Sequence, residues 1–189
     1  MMKKMRYIMV VLFMVMFMSS SVFAIDSEVT RKTLTGLKGI YVTVENLQPN
    51  IEKYASRFSL TRDQIHRDVE QKLKSADIKI FTRDEWLRTT GRPMLYVNVN
   101  THEYEKYWYS YTIKLELQQI VMPEANPKIK AFATTWSIDM TGSANIGTLG
   151  TIRSNVVLLV DRFIDAYSSV NLKKTMSTHR SRRVVNFPP

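Results

Sequence analysis

Alternation is the strongest signal in the chain. Between Lys106 and Met122, Tyr107, Tyr109, Tyr111, Ile113, Leu115 and Leu117 fall on one parity, and Trp108, Ser110, Thr112, Lys114, Glu116 and Gln118 on the other. Successive side chains of a strand point to opposite faces, so the run predicts one long strand with a buried face and a largely wet one. The rest of the fold is arranged beside it. In Gly39 to Leu47, Ile40, Val42 and Val44 alternate with Tyr41, Thr43 and Glu45. Leu95, Val97 and Val99 alternate with Tyr96, Asn98 and Asn100, and Ile129 to Met140 carries Phe132, Trp136 and Ile138 at even positions. With the short apolar run Ile78 to Phe81, five strands are expected. Turns are expected at Asn46 to Asn50, at Thr101 to Glu105 and between Pro123 and Pro127, with a small-residue loop from Gly142 to Gly150.

Two stretches carry helix-start chemistry. Thr61-Arg62-Asp63-Gln64 and Thr82-Arg83-Asp84-Glu85 both fit the capping box, with Leu60/Ile65 and Phe81/Trp86 at the positions of a hydrophobic staple. After the first, Ile65, Val69, Leu73 and Ala76 make a narrow apolar stripe, so a helix runs to about Asp77. The second starts a short helix that must end by Gly91 or Pro93. A long amphipathic helix follows Gly150, marked by Ile152, Val156, Leu159, Val160, Phe163, Tyr167 and Val170. The order is β-α-β, a short helix, a three-stranded meander and a closing helix. It predicts a two-layer α/β (α+β) sandwich with a mixed five-stranded sheet and helices on one face.

The ends of the chain differ from its body. Met1 to Arg6 is basic, Ile8 to Met18 is an unbroken apolar run, and Ser19 to Ala24 closes in V-F-A. This is the layout of a secretory signal cleaved after Ala24, its apolar run being short for a spanning helix. Past Asn171 the apolar period stops, and residues 172–189 are expected to be a flexible basic tail. Three domains of organisation follow: a signal at 1–24, one folded unit at 25–171 and the tail. The formal charge is +10, yet Lys3, Lys4 and Arg6 supply three of these charges and Lys173, Lys174, Arg180, Arg182 and Arg183 another five, leaving +2 for the body. A near-neutral body argues against a nucleic-acid module, which carries its basic stripe on the folded face. The absence of cysteine excludes disulfides, thiolate ligands, a cysteine nucleophile and lipid attachment through cysteine. An exported chain of this kind holds together by its core alone, and no transmembrane segment is expected after cleavage.

Catalytic and metal signatures are weak. His66, His102 and His179 have no close histidine partner, and His102 with Glu103 and Glu105 reads as a solvated turn. No G-x-S-x-G elbow occurs. Gly147-Thr148-Leu149-Gly150 lacks the lysine of a phosphate loop and the third glycine of a dinucleotide fingerprint. Asp161 and Asp165, one turn apart beside Arg162, read as a solvated helix face rather than paired catalytic carboxylates. No cofactor or metal is expected. The unusual feature is the aromatic crowd Tyr104, Tyr107, Trp108, Tyr109 and Tyr111. Aromatic rings with polar tips suit a binding surface, and equally the end of a core. The tail cations Lys173, Lys174, Arg180, Arg182 and Arg183 suit an anionic surface.

The runs Leu34 to Val42, Leu60 to Ile65 and Leu95 to Thr101 resemble uncharacterised exported bacterial proteins of similar length, over about Leu34 to Asn171. The order of elements is similar, in topology alone, to small envelope domains such as the N-terminal domain of TolB and the lipoprotein LptE. That resemblance brings no catalytic residues, and the lipoproteins' anchoring cysteine is missing here. The expectation is an exported, non-enzymatic accessory protein of the bacterial cell envelope, in periplasm or outside the cell, whose partner is another envelope protein or an anionic surface. The alternative is a small exported hydrolase with a site assembled from scattered residues.

Overall fold

The computed structural model describes residues 26–182. The expected signal and its cleavage point at Ala24 lie outside these residues, as does Arg183. The fold is α+β: four strands in the order β1-β2-β3-β4, with helices packed against the sheet. The strands are β1 (Tyr41–Val44), β2 (Met94–Glu105), β3 (Trp108–Val121) and β4 (Ala131–Asn145). The helices are α1 (Glu28–Arg31), α2 (Pro49–Ala55), α3 (Arg62–Ser75), α4 (Arg83–Arg88) and α5 (Gly150–Arg182). β1 runs parallel to β2, and the other neighbours are antiparallel, so the sheet is mixed as the element order implies.

The sheet has four strands where the alternation predicts five. Residues 78–81 contribute one parallel bridge, Ile40 with Ile80, outside β1. The run is too confined to make more. Asp77, at φ 58°, ends the α3 turn and Thr82 already caps α4. Ile78 and Phe81 are nonetheless buried.

Other boundaries move for local reasons. The expected turn at Thr101–Glu105 is strand, because these residues pair with Trp108–Tyr111 and the reversal needs only Lys106 and Tyr107. Residues 142–145, expected as the start of a loop, extend β4, and Ile146–Thr148 is a turn of 3-10 helix. The segment around Pro49 is a helix rather than a simple turn, with proline at its permissive first position. The lead-in is not merely polar: α1 and a 3-10 turn carry Leu34 into the core with no exposure. Helical backbone continues past Asn171 to Arg182, where a flexible tail is expected, since no glycine or proline interrupts it.

The core lies between the sheet and α3 with α5. Val42, Val97, Leu115 and Ile138 come from the strands; Ile65, Val69 and Leu73 from α3; Ile152, Val156, Leu159 and Phe163 from α5. Phe163 meets Trp136 edge-on with ring centroids 5.2 Å apart. Two ion pairs join the helices: Arg153 to Asp68, and Lys72 to Asp161 at 2.8 Å. Asp161 is therefore a clasp residue rather than a free member of a carboxylate pair. Of the two capping boxes, Thr82–Glu85 is reciprocal. In the other, Thr61 accepts from the Gln64 backbone, but the Gln64 side chain turns to Asp68 and Arg67.

Candidate binding face

The long helices α3 and α5 lie on one side of the sheet, and on the other only the short α4 approaches, through Trp86 at one end. Register places Tyr96 beside Glu116 and Ser137, Asn98 beside Lys114 and Asp139, Asn100 beside Thr112 and Thr141, and His102 beside Ser110 and Ser143. These residues are exposed or half-buried, whereas their neighbours of opposite parity form the core. The wet face expected from alternation is thus a continuous polar surface across three strands.

The surface is organised by its own hydrogen bonds. The Glu45 carboxylate accepts from the Tyr96 hydroxyl and from Asn98 Nδ2. Asn100 Nδ2 donates to Asn98 Oδ1 at 2.6 Å, and Gln48 Nε2 donates to Asn100 Oδ1 at 3.1 Å. The bond to Glu45 holds the Tyr96 phenol above its ordinary pKa, with partial burial adding to it. Next to this cluster, Glu116 accepts from Gln118 at 2.9 Å and from Thr134 at 3.2 Å.

β1 ends at Val44 while β2 runs on, which would leave the β2 edge open. Side chains replace the missing strand. The Thr101 N–H donates to Gln48 Oε1 at 2.8 Å, and Asn50 Nδ2 donates to the Thr101 carbonyl at 3.0 Å. The Thr101 hydroxyl donates to Asn50 Oδ1 at 3.0 Å, so this buried polar residue is fully partnered.

Aromatic side chains stand at both ends of the face. At one end Trp86 stacks on Tyr41 at 5.2 Å and meets Phe132 edge-on at 6.4 Å. Its indole N–H donates to the Arg92 carbonyl at 2.8 Å. Trp86 is therefore a partner of Tyr41 rather than only half of a staple with Phe81. The sequence gives little warning of this cluster, because its members come from β1, α4 and β4.

The other end is the β2–β3 hairpin, and here the five aromatic candidates divide. Tyr109 and Tyr111 are core residues, 0% and 5% exposed. Tyr111 accepts from Asn155 Nδ2 at 2.7 Å, and burial, followed by the Glu103 charge, pushes the Tyr109 phenol up to about 12. Tyr104, Tyr107 and Trp108 remain outside, 53%, 44% and 40% exposed. Simple alternation groups Tyr107 with Tyr109 and Tyr111, but Tyr107 sits in the turn with φ 68°, a left-handed backbone that disfavours a side chain. Tyr104 falls at a register shift between Glu103 and Glu105, which turns it out of the regular pleat. Glu103 Oε1 accepts from the Tyr107 N–H at 3.2 Å and fixes the turn.

The remaining candidates are dispersed. His66 lies on α3 near the Val42 carbonyl, His102 is exposed on the open face, and His179 is in the helical extension. Lys173, Lys174, Arg180 and Arg182 belong to the same extension. Among the described residues no group of three or more His, Cys, Asp or Glu is placed to hold a metal, and no helix is long and apolar enough to cross a membrane. A groove of about 720 Å³ lies between α3 and the start of α5. Its Asp68, Lys72 and Arg153 are already engaged in the interhelical ion pairs.

No family model matches the chain. No curated protein matches it in sequence. Among solved structures, the chain is similar to rare lipoprotein B from Shewanella oneidensis, at 13% identity and a TM-score of 0.22, over 76% of this chain and 98% of that one. A likeness that distant leaves function to be read from this chain's own residues.

Proposed function

We infer that the protein works by binding, as a non-enzymatic accessory component of the bacterial cell envelope. The open sheet face and the aromatic hairpin are its contact surface. The observation that carries this is a polar sheet face that lacks a covering layer over its three long strands, whose polar groups are held in place by Glu45, Gln48, Asn98 and Asn100. A surface ordered before contact loses less conformational freedom when a partner arrives. Exposed Trp108 and Tyr107 supply large area at its rim, as anchor residues do. Export follows from the sequence of residues 1–24. The cations Lys173, Lys174, Arg180, Arg182 and Arg183 would add salt-sensitive attraction to an anionic surface.

The test is capture from solubilised envelopes by the chain as cells deliver it, beside a double variant Lys114→Glu/Trp108→Ala and a form truncated after Asn171. Retention of a defined partner by wild-type and truncated chains, with loss in the double variant, supports the open face. Loss on truncation alone moves binding to the tail. Failure of every form to retain a partner counts against a binding function.

A further inference from the structure

β4 is the last strand of the sheet, and among the described residues most of its outer edge is unpaired. The amino-terminal segment protects one part: Thr33 Oγ1 donates to the Thr135 carbonyl at 3.3 Å, and Trp136 Nε1 donates to Asp26 at 2.9 Å. From Ser137 to Ala144, among the described residues, no backbone hydrogen bond reaches anything but β3. Exposed edges are usually blunted by proline, lysine or several charges. β4 has no proline and no lysine, and Asp139 is its one charge.

The helix beside this edge is also unfinished. On α5, Arg153, Val157 and Asp161 turn toward α3, and Phe163 and Leu159 point into the core. Leu158 therefore falls on the opposite flank, the flank shared with Arg162, whose charge is felt at Asp26, and with Asn155, which reaches Tyr111. It is a 43% exposed leucine above the β4 side of the sheet.

We propose that this edge pairs with the same edge of a second copy, antiparallel about a two-fold axis at Thr141, to form an eight-stranded sheet. The free span runs from Ser137 to Ala144, since the Asn145 N–H and carbonyl are bonded to Thr148 Oγ1. Thr141 lies beside its midpoint, and the residues flanking Thr141 are complementary to their own reverse. On the helix side Met140 would lie opposite Gly142 and Ile138 opposite Ala144, each large residue facing a small one. On the open side Thr141 would meet Thr141 and Asp139 would meet Ser143, both polar pairs. A pairing centred on Asp139 would set like charges against each other, and one centred nearer Trp136 would collide with the segment from Asp26 to Thr33. Because the axis is perpendicular to the sheet, both copies keep their helices on the same side, and the two Leu158 flanks face each other. A near-neutral body, at +2 without the terminal cations, opposes this association little.

The absence of cysteine makes the register directly testable. In this pairing the two Thr141 Cα atoms would be about 4.5–5.5 Å apart, within reach of a disulfide. Two Asp139 residues would be about 14 Å apart, beyond it. The full chain as cells deliver it, with its processed mass recorded, is expected to sediment as a dimer at tens of micromolar. Thr141→Cys should cross-link rapidly on oxidation and Asp139→Cys should not, while Asp139→Cys mixed with Ser143→Cys should give heterodimers. Thr141→Lys should yield a monomer with an unchanged melting profile. A monomeric wild-type chain, cross-linking equal at 141 and 139, or a dimer untouched by Thr141→Lys would each overturn the proposal.

Discussion

Tyr107 combines two properties that a chain optimised for stability alone would not join. Its φ of 68° is the conformation a glycine adopts freely, and its ring is 44% exposed at the hairpin tip. A side chain there costs about 1–2 kcal/mol of backbone strain, and the ring is too exposed to return that by burial. Such strain at a surface aromatic is the kind tolerated where the side chain has a use. Tyr107→Gly is accordingly expected to stabilise the fold by about 1 kcal/mol, seen as a higher urea midpoint, while weakening capture of a partner. A destabilised variant would mean that the ring, or Lys106 lying 5.2 Å from it, contributes more to the fold than its exposure implies. Gly142 shows the opposite case: a Cβ there would lie 2.6 Å from Tyr111 Cζ, so glycine is required by the tyrosine and not by a turn.

At the scale of elements, α3 and α5 are joined at Asp68 and Arg153, and this joint is sensitive to pH. The Arg153 guanidinium, with help from Gln64, holds the Asp68 carboxyl below its ordinary pKa against partial burial. A carboxyl lowered in the folded state contributes stability above its unfolded pKa and loses it as pH falls through the folded value. Asp68→Asn should therefore cost about 1–2 kcal/mol at pH 7, allowing for partial solvent screening, and the deficit should shrink as the pH drops below about 4. Urea titrations of both chains at the two pH values read this directly, and an equal deficit at both would assign the loss to packing. The elements themselves were well marked in the sequence: the alternation of β3, the caps at Thr61 and Thr82 and the stripe of α3 all have local causes. What was not legible depended on distant partners. Ile78 to Phe81 looks like a strand until its neighbours leave it room for one bridge, and Trp86 looks like a staple until Tyr41 comes beneath it. The aromatic hairpin was visible, but its division into core and surface follows from the left-handed turn at Tyr107 and the shift at Tyr104, which alternation alone does not encode.

At the scale of the molecule, the sheet is built from pairings of very different reach. β2, β3 and β4 are consecutive, whereas Tyr41 pairs with Met94 across α2, α3 and α4. Closing that loop costs about 2 kcal/mol more in chain entropy than closing a hairpin. The meander is thus expected to form first, with β1 joining a nearly complete structure. Stopped-flow refolding can separate the two: Leu115→Ala should mainly slow folding, and Val42→Ala should mainly speed unfolding. Equal partition in both variants would indicate that β1 is already in place at the barrier. The short β1 then has a kinetic meaning. Gln48 and Asn50, which pair with Thr101 beyond its end, close the molecule last, and they do so with side chains that need no further strand to be threaded into place.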